Sequence, residues 1–191
     1  MLFRYQLDDQ KYLIHTQVDI TRDSLQTALW LDLVNPDDDE RNLIESLHSQ
    51  PLPDTEDVEE IEASARSYQD EHGLHVHSLF LHKAEDRHRN TSVAFTISET
   101  QLITLREREI PAFRLMRMRA RRLHGLVDDP VSILLALFEI KIDDLADTLE
   151  EVYTQLEATS NLVLEDNDTA IEDALDELAR QEDTNGKVRL C

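Results

Sequence analysis

Carboxylates are the most abundant chemistry-bearing groups in this sequence, and they cluster. "DVEEIE" sets Asp57, Glu59, Glu60 and Glu62 in one short stretch, and "KIDDLADTLEE" adds Asp143, Asp144, Asp147, Glu150 and Glu151. Oxygen ligands suit hard divalent ions, and Mg2+ in particular keeps much of its water and binds through one or two carboxylates. Asp143 and Asp147 stand four residues apart, so a helix puts them on one face, where like charges repel until a cation intervenes. A solvated helix surface carries such acids equally well. The acidic stretches therefore permit a divalent-cation role without requiring one.

Two other sets of residues could do chemistry. His75 and His77 are two apart and project to one side of a strand. With His72, His82 or His88 they would make a zinc set, but the spacing defines no third ligand, and a polar, partly exposed strand face is the preferred reading. Residues 106–122 hold Arg106, Arg108, Arg114, Arg117, Arg119, Arg121 and Arg122. They would suit an anionic lipid or RNA, yet Glu107 and Glu109 interrupt them; pairing with acidic helices of this chain or of a neighbouring subunit is the favoured reading. Catalytic signatures are missing: the sequence has no Gly-rich phosphate loop, no G-x-S-x-G and no H-E-x-x-H. The expectation is a protein that is not an enzyme.

Composition narrows the class. In 191 residues, 19 Lys and Arg face 41 Asp and Glu, a formal net charge of −22, which argues against nucleic acid as a partner and toward cations or a basic partner. Cys191 is the only cysteine, so no disulfide framework is available. The longest near-apolar run, 131–138, is far short of the ~20 residues of a spanning helix. The opening residues lack a signal-peptide pattern, so a soluble, intracellular chain is expected.

The elements that must position these residues change character along the chain. Runs 2–7 and 11–15 predict a hairpin, and "LWLDLV" (29–34) a strand with one face buried around Trp30. Asn35 as N-cap and Pro36 at the first helical position start a helix whose first turn is acidic. Residues 51–73 predict a Pro-marked turn and an acidic helix ending near Gly73. Strands at 74–81, 91–98 and 101–107 then form an antiparallel meander. Beyond Pro111 everything reads as helix: a basic one over 112–125, and one over 131–166 of roughly 50 Å at ~1.5 Å per residue. A last amphipathic stretch from Thr169 breaks at Gly186 and resumes as "KVRLC", a pattern cut off without a cap, which predicts a chain taken from a longer protein. The expected organisation is an α/β/α domain over 1–125 and a long acidic helix hairpin over 126–191. In fold class this is α+β, with a mainly antiparallel, mixed sheet followed by long C-terminal helices.

Long strings of this sequence closely resemble one family. "WLDLVNPDDDER" (30–41), "EEIEASAR" (59–66), "LHVHSLF" (74–80), "VAFTIS" (93–98), "LITLRERE" (102–109), "PAFRLMRMRAR" (111–121) and "GKVRLC" (186–191) are similar, in order, to the N-terminal cytoplasmic part of proteobacterial CorA magnesium channels. The resemblance implies the α/β/α domain of a homopentamer in the bacterial inner membrane, with this part on the cytoplasmic side and the membrane reached through later helices. It implies a Mg2+ channel that also passes Co2+ and Ni2+, held closed by weakly bound regulatory Mg2+ between subunits. Carried over by resemblance, the metal-binding acids are Glu59, Glu60, Asp143 and Asp147. It further implies that the 191 residues alone are a monomer or a weak oligomer. The related zinc-transport branch and a soluble cation-responsive regulator are the alternatives.

Overall fold

The computed structural model describes residues 1–15, 22–48, 50–53, 67–85, 87–164 and 170–191. Its strands are β1 (Leu2–Leu7), β2 (Leu13–His15), β3 (Trp30–Val34), β4 (Ser67–Asp70), β5 (Gly73–Ala84), β6 (Arg87–Ile97) and β7 (Leu102–Arg106). Its helices are α1 (Arg22–Gln26), α2 (Asp38–His48), α3 (Pro111–Ala120), α4 (Pro130–Leu164) and α5 (Ala170–Leu190). The strands form one sheet in the order β2-β1-β3-β7-β6-β5-β4. Only the central β3–β7 pair is parallel among the registers described; β1 pairs antiparallel with β2 and β3, β4 with β5, and β6 with β7.

Alternation along β3 explains the layers. Trp30 joins Tyr5, Phe80, Phe95, Phe113, Ile133 and Leu137 in one apolar cluster. Leu31 and Leu33 point the other way, to Leu25, Ile44, Ile103 and Leu105. Helix α3 and the first turns of α4 thus cover one face of the sheet, and α1 and α2 the other. Burial of each large side chain contributes about 1.5–3 kcal/mol, so two such clusters hold the layers together. β3 is buried at all five positions, not on one face as the alternation predicts, because both sides of a central strand are covered.

Local chemistry moves several predicted boundaries. Asp37, not Asn35, caps α2: its Oδ1 accepts from the Glu40 N–H at 2.9 Å while Glu40 Oε2 accepts from the Asp37 N–H at 3.2 Å. Asn35 instead takes a left-handed φ of 42° at the end of β3, and its N–H donates to the Arg106 carbonyl. Over the described part of 51–73 the expected helix gives way to strand β4, and Gly73 opens β5. The Asp70 carboxylate makes that turn, accepting from the N–H groups of His72 and Gly73. The basic helix stops at Ala120, and α5 runs through Gly186 to Leu190 without a break. Asp129 caps α4, its Oδ1 accepting from the Ser132 N–H at 2.7 Å, with Pro130 at the first helical position.

Two compact units result: Met1–Phe80 with Thr91–Ile140, and Leu81–Asn90 with Lys141–Cys191. The division falls inside α4 and not at the change of composition near residue 125. Its cause is that Ile133, Leu137 and Ile140 belong to the sheet's core. In the second unit Asn90 Nδ2 donates to the Lys187 carbonyl at 3.0 Å, and Lys141 Nζ to the Cys191 carbonyl at 2.7 Å.

Candidate metal centre

The acidic run of α4 lies in the second unit. Val152 and Thr148 are buried, and that side of the helix faces protein; Asp143, Asp144 and Asp147 are exposed on the rest of its surface. Helical spacing sets Asp147 one turn beyond both Asp143 and Asp144. Burial of part of the Asp144 carboxyl raises its pKa, and the Asp147 charge raises it further, against a smaller opposing pull from His88. Asp144 and Asp147 therefore repel one another, the electrostatic condition for holding a dication. Two or three exposed carboxylates fit a hydrated Mg2+, which needs few protein oxygens, and do not fit a dehydrated ion in a closed cage. Among the described residues no three His, Cys, Asp or Glu side chains converge as a ready-made ligand set.

Asp143 and Asp147 thus share one helical surface as their spacing requires. Asp144 belongs to the same exposed acidic run but is not one of the acids the family resemblance implies as metal ligands. Its i, i+3 relation to Asp147 is the sequence signal that groups the two. Glu59 and Glu60 lie outside the described residues.

The histidines are placed otherwise than predicted. His75 and His77 are buried, 3% and 7% exposed, not on a partly exposed strand face. The His75 ring is fully engaged: Nε2 lies 3.0 Å from Asp70 Oδ1, Nδ1 lies 3.1 Å from Thr96 Oγ1, and Tyr68 stacks on it at 4.5 Å. His77 is held below its ordinary pKa by burial first and by His75 second, and among the described residues its Nδ1 has no hydrogen-bond partner.

Among the described residues, Arg106 and Arg117 pair inside the first unit, with carboxylates that lie outside its helices. Arg106, fully buried on β7, donates from Nε and Nη2 to the two carboxylate oxygens of the equally buried Asp32 on β3, at 3.1 and 2.7 Å. Arg117 of α3 reaches Asp32 at 3.2 Å and also pairs with Glu109. The Arg106 guanidinium lies 4.3 Å from the centre of the Phe113 ring. These are structural pairs that tie α3 to the sheet.

Comparison with known proteins defines the class. Residues 26–190 match the model of the family described as "CorA-like Mg2+ transporter protein". The magnesium transport protein CorA of Pectobacterium atrosepticum is 46% identical over 194 aligned residues, covering 100% of this chain and 60% of the relative. Among solved structures, the soluble domain of CorA from Methanocaldococcus jannaschii aligns with a TM-score of 0.65 at 14% identity, covering 95% of this chain and 71% of that one. The ZntB cytoplasmic domain from Vibrio parahaemolyticus aligns with a TM-score of 0.60 at 14% identity, covering 93% and 72%. The chain belongs to the CorA-like Mg2+ transporter family. It spans about 60% of the length of the curated relatives it matches, and none of its described helices is long and apolar enough to cross a membrane.

Proposed function

We propose that this chain is the cytoplasmic Mg2+-sensing part of a pentameric CorA-type channel of the bacterial inner membrane, whose cargo is Mg2+ and also Co2+ and Ni2+. The observation that carries the reading is the exposed run of carboxylates on α4, where Asp147 raises the Asp144 pKa, in a chain of this family. Asp143 and Asp147, with Glu59 and Glu60, are the acids that would hold regulatory Mg2+. When bound, the ion supplies positive charge between acidic surfaces; when it is lost, their repulsion favours the looser, conducting assembly.

A second reading, membership of the related zinc-transport branch, draws on the fold likeness to the ZntB domain. His75 gives it no support, since both ring nitrogens are already occupied by partners within the chain. The near-half identity to magnesium transport proteins favours the first reading.

Ion uptake by the whole protein carrying this chain tests it. With Asp143→Asn and Asp147→Asn together, Mg2+ uptake is expected to continue at internal Mg2+ concentrations that shut off the unsubstituted protein. Unchanged shut-off would sink the assignment of these acids. Uptake of Zn2+ in preference to Mg2+ would favour the second reading.

A further inference from the structure

The first unit carries a concavity of about 520 Å³ lined by Phe3 and Tyr5 of β1, His15 of β2, and Arg114, Arg117, Met118, Arg121 and Arg122. Arg114, Arg117 and Arg121 follow one another at three- and four-residue steps, which puts all three guanidinium groups on one side of α3 and its extension. Among the described residues no carboxylate lines the space. Arg117 is fixed there by Asp32 and Glu109. Arg114, Arg121 and Arg122 are exposed, and among the described residues no ion pair reaches them.

In a chain of net charge −22 this is an anomaly. The sequence has 41 carboxylates, yet among the described residues four arginines converge here with none but the two that anchor Arg117. Their field is felt locally: Arg121 and Arg117 add to burial in holding the His15 pKa below its ordinary value. Guanidinium forks match phosphate oxygens in pairs, and several of them around one hollow match a ligand with several phosphates. Beside them the rings of Phe3 and His15 lie 5.6 Å apart at the partly buried wall. A long polyanion such as RNA would meet the repulsion of the whole acidic molecule. A small anion meets only charges within a Debye length, ~8–10 Å.

We propose that this concavity is a binding site for a small polyphosphate anion, its phosphates held by Arg114, Arg121 and Arg122. The site is independent of the acidic set on α4, and its test uses no Mg2+. In calorimetric titration of the chain in EDTA at moderate salt, sodium tripolyphosphate is expected to bind at a single site, more weakly as salt rises. Arg114→Gln with Arg121→Gln is expected to weaken binding by about tenfold or more, with the melting temperature unchanged. Arg180→Gln, in the other unit, is expected to leave binding as it was. ATP distinguishes the sources: tighter binding than tripolyphosphate, with shifted His15 and Phe3 ring resonances, identifies a nucleotide, and equal binding an inorganic polyphosphate. Absence of binding at millimolar tripolyphosphate, or binding indifferent to the arginine substitutions, would overturn the proposal. So would a doubling of mass in light scattering, without ligand, that the same substitutions abolish, because the arginines would then be serving a second copy of the chain.

Discussion

Among the described residues, four side-chain hydrogen bonds converge on the Asp32 carboxylate of β3. It accepts from Arg106 Nε and Nη2, from Arg117 Nη1 and from Thr104 Oγ1, whose oxygen in turn accepts from Trp30 Nε1 at 3.0 Å. Both Asp32 and Arg106 are fully buried. Removing one partner strands the other charge in a low-dielectric interior, so Asp32→Ala is expected to lose about 3–5 kcal/mol of stability in chemical denaturation. Asp32→Leu combined with Arg106→Met is expected to lose less, because no unpaired buried charge remains opposite position 32 on β7. Glu109 and His77 set the pH response. Burial pushes the Glu109 pKa up, but Arg106 and Arg117 outweigh it and hold the group below its ordinary value. Its contribution is therefore full above ~4.3 and is lost as pH falls through its folded pKa. His77 is also lowered, by burial and then by His75, so its protonation opposes folding: stability is full above ~6.5 and declines as pH drops below that value. Denaturation midpoints are expected to fall in two stages, below about pH 6.5 and again below about pH 4.3. His77→Gln is expected to flatten part of the first stage only. A first stage unchanged by that substitution would assign it to the other lowered histidines, His15 and His48.

At the scale of elements, the β4–β5 turn has the least tolerance. Gly73 has φ +140°, and a Cβ there would lie 2.2 Å from the Ile97 carbonyl oxygen of β6. Both the conformation and the contact exclude a side chain, so Gly73→Ala is expected to cost roughly 1–3 kcal/mol from backbone strain, plus the displacement of β6. A lowered thermal midpoint checks it, and a midpoint within a degree of the original would contradict it. This glycine also shows where sequence reading stops. Local sequence pattern makes it the end of a helix, because a glycine after an acidic run resembles a C-cap. Its actual task, letting two strands approach, depends on residue 97, which local pattern cannot report. The strands of β5, β6 and β7 were legible because hydrophobic residues with short polar links dictate them. α2 was legible as well, with its cap misplaced by two residues: Asp37 and Glu40 together out-compete Asn35 by forming a reciprocal pair of bonds. The arginine partners were not legible. Asp32 sits in an apolar strand, and its pairing with Arg106 depends on the parallel β3–β7 register across 74 residues.

At the scale of the molecule, 41 acidic side chains against 19 basic ones make self-repulsion a standing cost of the compact state. Any cation relieves it by screening, and a dication held by carboxylates relieves it further. The placing of Asp143 and Asp147 on one helical face was legible from their i, i+4 spacing, as was the i, i+3 step from Asp144 to Asp147; the partial burial of the Asp144 carboxyl near His88 of β6 was not. These two effects of cations can be separated. For a weak carboxylate site with a dissociation constant of ~1 mM, Mg2+ at ten times that concentration adds RT ln 11, about 1.4 kcal/mol. In a chain of this size that corresponds to a rise in melting temperature of about 3–6 °C. NaCl at equal ionic strength supplies the screening without the binding, so it is expected to give a distinctly smaller rise. Asp143→Asn with Asp147→Asn is expected to bring the Mg2+ curve down toward the NaCl curve, while itself raising the midpoint in the absence of Mg2+ because two repelling charges are gone. Superimposable Mg2+ and NaCl curves for the unsubstituted chain would mean that the acidic helix is only screened. The proposed sensing role would then have to rest on acids other than Asp143 and Asp147.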